Sequence, residues 1–172
     1  MPGAPSFMRV AIIYHSLSGN TRRVAELLAG RLAGTAEADL VEVRDQRQYS
    51  TLTAYSSGAP RAMRGEVAEI EPAAIDVAGY DVIVLGTPVW ALAPTPAANG
   101  AVAALRNAGG KEGVVFATSG GGPSPAAETL AAALEARGVR VRGTARFERK
   151  DLENEAAMNG LVELVTRPPS AG

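Results

Sequence analysis

The chain has 172 residues, 47% of them hydrophobic, enough for one compact domain with a sizeable core and no covalent staples. With no cysteine and a single histidine, His15, it excludes disulfides, thiolate metal sites and a cysteine nucleophile, so redox chemistry would require a bound cofactor. A formal net charge of −1 gives no global field to gather nucleic acid, and any charge effect must be local.

Residues 1–7 carry no charged side chain and no long apolar run, so they read as a frayed arm and not as a secretory signal. Residues 8–14 form a run that is apolar on both alternating faces, as in a parallel strand covered on two sides. A helix follows over 21–32. Val24, Ala25, Leu27, Leu28 and Leu32 recur at helical spacing, Arg22, Arg23, Glu26 and Arg31 fall mostly opposite, and Gly34 marks the stop. Further strands are predicted over 39–43 and 80–86, then a helix over 97–108 closed by Gly109 and Gly110, and a strand over 113–118. A helix over 126–137 ending at Gly138, an edge strand over 139–147 and a helix over 151–166 complete the series, with 167–172 as a tail. Residues 82–105 hold no charge over a length that could cross a bilayer, but Gly86, Pro88, Pro94, Pro96, Asn99 and Gly100 break them into strand, loop and helix. No membrane span is expected, and a cytoplasmic protein is.

Five strands alternating with helices predict an α/β three-layer sandwich over 8–166, a single domain with a five-stranded parallel sheet. Ligands of such sheets bind outside the carboxyl ends of the strands, and the unusual loops lie there. After the first strand come Ser16, Leu17, Ser18, Gly19, Asn20 and Thr21, whose hydroxyls and helix-start N–H groups suit a terminal phosphate; a plain helix cap is the simpler alternative. Neither Gly-x-Gly-x-x-Gly nor a Walker A loop is present, and His15 is assigned no chemistry. After the third strand, Thr87, Pro88, Val89, Trp90 and Ala91 place the only tryptophan in a proline-stiffened loop, a platform for a flat ring or else a core aromatic. After the fourth, Ser119, Gly120, Gly121 and Gly122 let backbone approach such a ring, unless they are only a flexible turn.

Ser-x-Ser-Gly-Asn-Thr, Gly-Thr-Pro-Val-Trp and Ala-Thr-Ser-Gly-Gly-Gly, in that order, resemble the flavodoxin family over roughly residues 9–164. The resemblance implies strand order 2-1-3-4-5 with FMN at the reversal. It also implies that Ser16, Ser18, Gly19, Asn20 and Thr21 hold the phosphate, while Thr87 to Ala91 and Ser119 to Gly122 enclose the isoalloxazine. Members commonly carry electrons between a reductase and an acceptor protein, and this is the leading expectation. An FMN-dependent NAD(P)H:quinone or other small-molecule reductase is the second, and a flavodoxin-like binding module that has lost flavin the third.

Electron-carrier flavodoxins are strongly acidic around the flavin, whereas 87–98 and 119–127 here contain no Asp or Glu. A less negative potential for the reduced flavin is therefore expected. The connection over 44–79 is too long for a structureless link and holds Arg44, Arg47, Arg61 and Arg64 with Tyr49 and Tyr55, as a lid or a docking surface for an anionic partner would. Replacing Arg61 and Arg64 together is expected to weaken partner reactivity and to leave FMN affinity nearly unchanged.

Overall fold

In the computed structural model, which describes residues 7–169, every residue from Val10 to His15 of β1 (Met8–His15) is buried. Residues 1–6 of the predicted arm 1–7, and 170–172 of the predicted tail 167–172, lie outside the described residues. The chain continues through α1 (Asn20–Leu32), β2 (Ala36–Asp45) and a short helical segment made of α2 (Thr51–Thr53), a π-helical turn (Ala54–Gly58) and α3 (Ala59–Met63). Then come β3 (Ile70–Glu71), β4 (Ile75–Asp76), β5 (Val82–Trp90), β6 (Ala93–Pro94), α4 (Pro96–Ala104) and β7 (Leu105–Arg106). β8 (Glu112–Ser119), α5 (Ala126–Glu135), β9 (Arg140–Glu148) and α6 (Glu155–Thr166) close it.

The five long strands pair in parallel in the order β2-β1-β5-β8-β9, the flavodoxin-like order 2-1-3-4-5 counted over those strands alone. Two-residue antiparallel strands, β3 on β2 and β6 on β5, extend it locally. Alternation along the strands divides the core into two layers. Ala11, Ile13, Ile83, Leu85 and Val115 pack beneath Ala97, Ala101, Leu130 and Leu134 of α4 and α5. Val10, Ile12, Val82, Val84 and Phe116 pack beneath Val24, Leu28, Leu161 and Val165 of α1 and α6. Runs apolar on both faces are what a sheet covered on both sides requires.

Several boundaries depart from the sequence expectation: β2 is longer than the predicted 39–43, and α6 begins at Glu155 and not at residue 151. The helix over 97–108 stops at Ala104, because the Arg137 guanidinium donates to the carbonyls of Val102 at 2.8 Å and Leu105 at 2.7 Å. These orphan carbonyls are thus satisfied by a side chain from 32 or more residues away, and Leu105 turns into the core as a strand beside β4. The strand over 80–86 begins at Val82 and runs on to Trp90, so most of the predicted loop is instead a hairpin with β6. Its turn uses Ala91 and Leu92 at φ of 50° and 65°, a left-handed pair normally left to glycine or asparagine. Ser124 Oγ donates to the Leu92 carbonyl at 3.1 Å and ties that turn to the loop after β8.

Candidate functional site

The carboxyl ends of β1, β5 and β8 deliver the three loops to one edge of the sheet. In the first, Gly19 precedes α1 at φ +96°, and no side chain of its own caps the helix. Ser16 Oγ does that work from outside, accepting from Gly19 N–H and Arg22 N–H at 3.2 Å each. Neither Asn20 nor Ser18, the residues a plain helix cap would use, caps α1. Among the described residues nothing accepts from Asn20 N–H or Thr21 N–H, so two donors at the positive end of the helix dipole are unpartnered. The Thr21 hydroxyl is buried and shares a 2.8 Å hydrogen bond with Thr118 Oγ1, which fastens the first loop to the end of β8.

The second loop is fixed from below. Thr87 Oγ1 donates to the Pro88 carbonyl at 2.8 Å and accepts from Thr95 N–H at 3.2 Å. Thr95 caps α4 by accepting from Ala98 N–H, and shares a 2.8 Å hydrogen bond with His15 Nδ1. His15 is buried, and burial holds its pKa down at about 4 against the opposing pull of Asp45 and Glu42. It is therefore a neutral packing group whose ring meets Trp90 edge-on at 5.7 Å.

The long connection supplies a wall. Ser50 caps α2 in a reciprocal pair with Thr53. Tyr49 meets Trp90 edge-on at 5.4 Å, and a Cβ on Gly58 would lie 2.7 Å from Trp90 Cζ3. Arg61, with 11% of its side chain exposed, clamps this lid. It donates to Tyr49 Oη, to Asp45 Oδ2 at 3.1 Å and to Glu66 Oε2 at 2.7 Å. Burial works to lower its pKa, but the hydrogen bonds to Glu66, Tyr49 and Asp45 outweigh that and raise it. Arg64 pairs with Glu66 at the surface, and Arg44 and Arg47 are exposed. Hydrogen bonds from Arg64 and Arg61 hold the Glu66 carboxyl below the usual range.

Between the loops and this wall lies a cavity of about 850 Å³. Of the residues singled out in the sequence, Leu17, Ser18, Asn20, Pro88, Val89, Trp90, Ala91, Ser119 and Gly120 line it. Ser16, Thr21 and Thr87 stand behind the lining as its hydrogen-bonded supports, while Gly19, Gly121 and Gly122 shape turns at positive φ. Tyr49 and Tyr55, expected in a lid or docking surface, line it as well, whereas sequence reading did not single out Ser50, Ala54, Ala59, Thr118 or Arg149 as lining residues. Two free N–H groups beside the Ser18 hydroxyl fit a phosphate, and walls of Trp90, Tyr49 and Tyr55 fit a flat aromatic ring, so the cavity suits FMN. Among the described residues no group of metal-ligating side chains exists, and no helix is long and apolar enough to cross a membrane.

The profile of the NADPH-dependent FMN reductase family matches residues 8–148, a span that contains all three loops and the lid. The chain belongs to that family. Among solved structures, this family member is similar to a flavoprotein from Lactobacillus acidophilus NCFM in complex with FMN, with 26% identity, 87% of this chain and 98% of that one covered, and a TM-score of 0.67. It shares its fold with two-electron reduced Megasphaera elsdenii flavodoxin, at 21% identity, 91% and 97% coverage and a TM-score of 0.60. Among curated proteins none matches.

Proposed function

We propose that this protein is an FMN-dependent reductase that accepts hydride from NADPH and passes two electrons to a small acceptor such as a quinone. The chain is a flavodoxin-like FMN protein, and bound FMN would supply the hydride-accepting and electron-donating chemistry. The observation that carries the reductase reading is a walled cavity with no carboxylate among its lining residues. A nucleotide bearing several phosphates meets no repulsion there, and the lid makes the cavity a recess for small molecules more than an open ring edge.

Each element of the chain has a defined task in this reading. Asn20 and Thr21 N–H with Ser18 hold the phosphate, and Ser16 keeps that turn in shape. Trp90, wedged between His15 and Tyr49, fixes one wall of the ring site. No side chain is asked to move a proton, since His15 is buried and held neutral. The electron-carrier reading keeps one supporting feature, the exposed apolar Leu17, Tyr55 and Leu92 near the cavity mouth, where a partner protein would dock. An anionic partner at Arg44 and Arg47 belongs to that reading. Anaerobic stopped-flow mixing of the FMN-loaded protein with NADPH separates the two: a reductase loses its oxidised-flavin absorbance within seconds, whereas a carrier stays oxidised until a reductase protein is added.

A further inference from the structure

Among the described residues Arg149 is the only charged one lining the cavity. It opens a 3₁₀ turn (Arg149–Asp151) directly after β9, and its Nη2 lies 3.9 Å from where a Cβ on Gly120 would stand, so the guanidinium reaches over the loop that follows β8. The acids around it are engaged elsewhere. Glu148 pairs with Lys150 at 3.0 Å, Asp151 accepts from Asn154 at 2.8 Å, and Glu128 pairs with Arg146. Among the described residues no carboxylate lies within 4.0 Å of Arg149. The site thus carries one uncompensated positive charge and no negative one.

We propose that Arg149 makes the cavity prefer the more negative, reduced state of bound FMN and so raises the potential of the couple. Two electrons entering FMN with one proton leave it one unit more negative than before, and a fixed cation at the cavity wall favours that added charge by Coulomb attraction. This goes beyond the lack of carboxylates in the flavin loops, because it assigns a positive source to a named side chain. Arg149 is exposed, so water screens it and the effect is a single decade: reduced FMN binds about tenfold tighter, relative to oxidised FMN, than with a neutral residue there. For a two-electron couple a tenfold ratio is about 30 mV. The inference rests on FMN occupying the cavity and is independent of which reductant serves it.

The test is the midpoint potential of FMN bound to the full chain, equilibrated against a reference dye without nicotinamide, for wild type, Arg149→Gln, Arg149→Glu and Arg149→Lys. The expected result is a fall of one decade in the reduced-to-oxidised affinity ratio for Gln and about two for Glu, with Lys close to wild type. Raising the salt to about 1 M should shrink the differences, as it would not for a packing effect. Equal potentials in all four proteins would overturn the proposal. So would an equal loss of affinity for oxidised and reduced FMN in Arg149→Gln, which would make Arg149 an anchor and not a selector of redox state. A protein that fails to react with NADPH yet shows these shifts would refute the reductase reading alone.

Discussion

Replacing Arg61 by alanine should open the lid and weaken FMN binding, and the size of the effect follows from what Arg61 holds. Asp45 has only 5% of its side chain exposed, and its remaining partner would be Arg47 N–H at 2.8 Å. Breaking a buried ion pair by removing one partner costs about 3–5 kcal/mol, and the retained N–H argues for the lower end, about 3 kcal/mol. If that cost falls on the lid, the open population rises by roughly two orders of magnitude. Tyr49 would lose its hydrogen bond from Arg61 and with it the orientation that packs it on Trp90. FMN affinity should fall at least tenfold by flavin fluorescence titration, with faster amide exchange over residues 49–66. Arg64→Ala removes only a surface pair, its own side chain being 62% exposed, and should change neither readout appreciably. Wild-type affinity and exchange in Arg61→Ala would refute the clamp, and equal losses in both variants would point to surface charge instead. This separates two arginines that, on sequence alone, were expected to act together and to leave FMN untouched.

Other predictions follow from the same geometry. His15 has a folded pKa of about 4 against 6.5 when unfolded, so the unfolded chain takes up the proton first. Its contribution is fully present above about pH 6.5 and is lost as pH falls toward 4, about 3 kcal/mol in all; urea midpoints of wild type and His15→Asn measured at pH 7 and 4.5 should show a smaller acid loss in the variant. A Cβ at Gly86 would lie 2.2 Å from Phe116 Cζ, so Gly86→Ala should cost about 3 kcal/mol, on the order of 10 °C in Tm, with partial rescue by Phe116→Leu. Ser16→Ala removes the acceptor of two backbone N–H groups and should lower stability by about 1 kcal/mol and FMN affinity several-fold, by thermal melt and titration.

The sheet was legible because burial on both faces writes itself as continuous apolar runs such as residues 8–14, and the first loop because its hydroxyls and glycine directly follow such a buried run at a strand-to-helix junction. What local sequence does not carry is any contact between distant segments. Arg137 ends α4 from over 30 residues away, and nothing near Ala104 announces that stop. Tyr49 and Gly58 enclose Trp90 only because Arg61 folds the connection back on Asp45 and Glu66. Arg149 enters the cavity because β9 ends beside β8, a consequence of strand order that its own neighbours in sequence do not reveal. The strand end at Gly86 was misplaced because Pro88 reads as a breaker, yet here it sits in register opposite Thr118 and the hairpin continues to Trp90.

The proposed chemistry requires that FMN occupy the edge where β1, β5 and β8 end. A crystal structure of the protein grown with FMN tests it directly. The phosphate is expected within hydrogen-bond distance of Asn20 and Thr21 N–H, and the ring bounded by Trp90 and the Ser119–Gly120 backbone. A phosphate held away from the start of α1, or a ring bound outside this cavity, would contradict it.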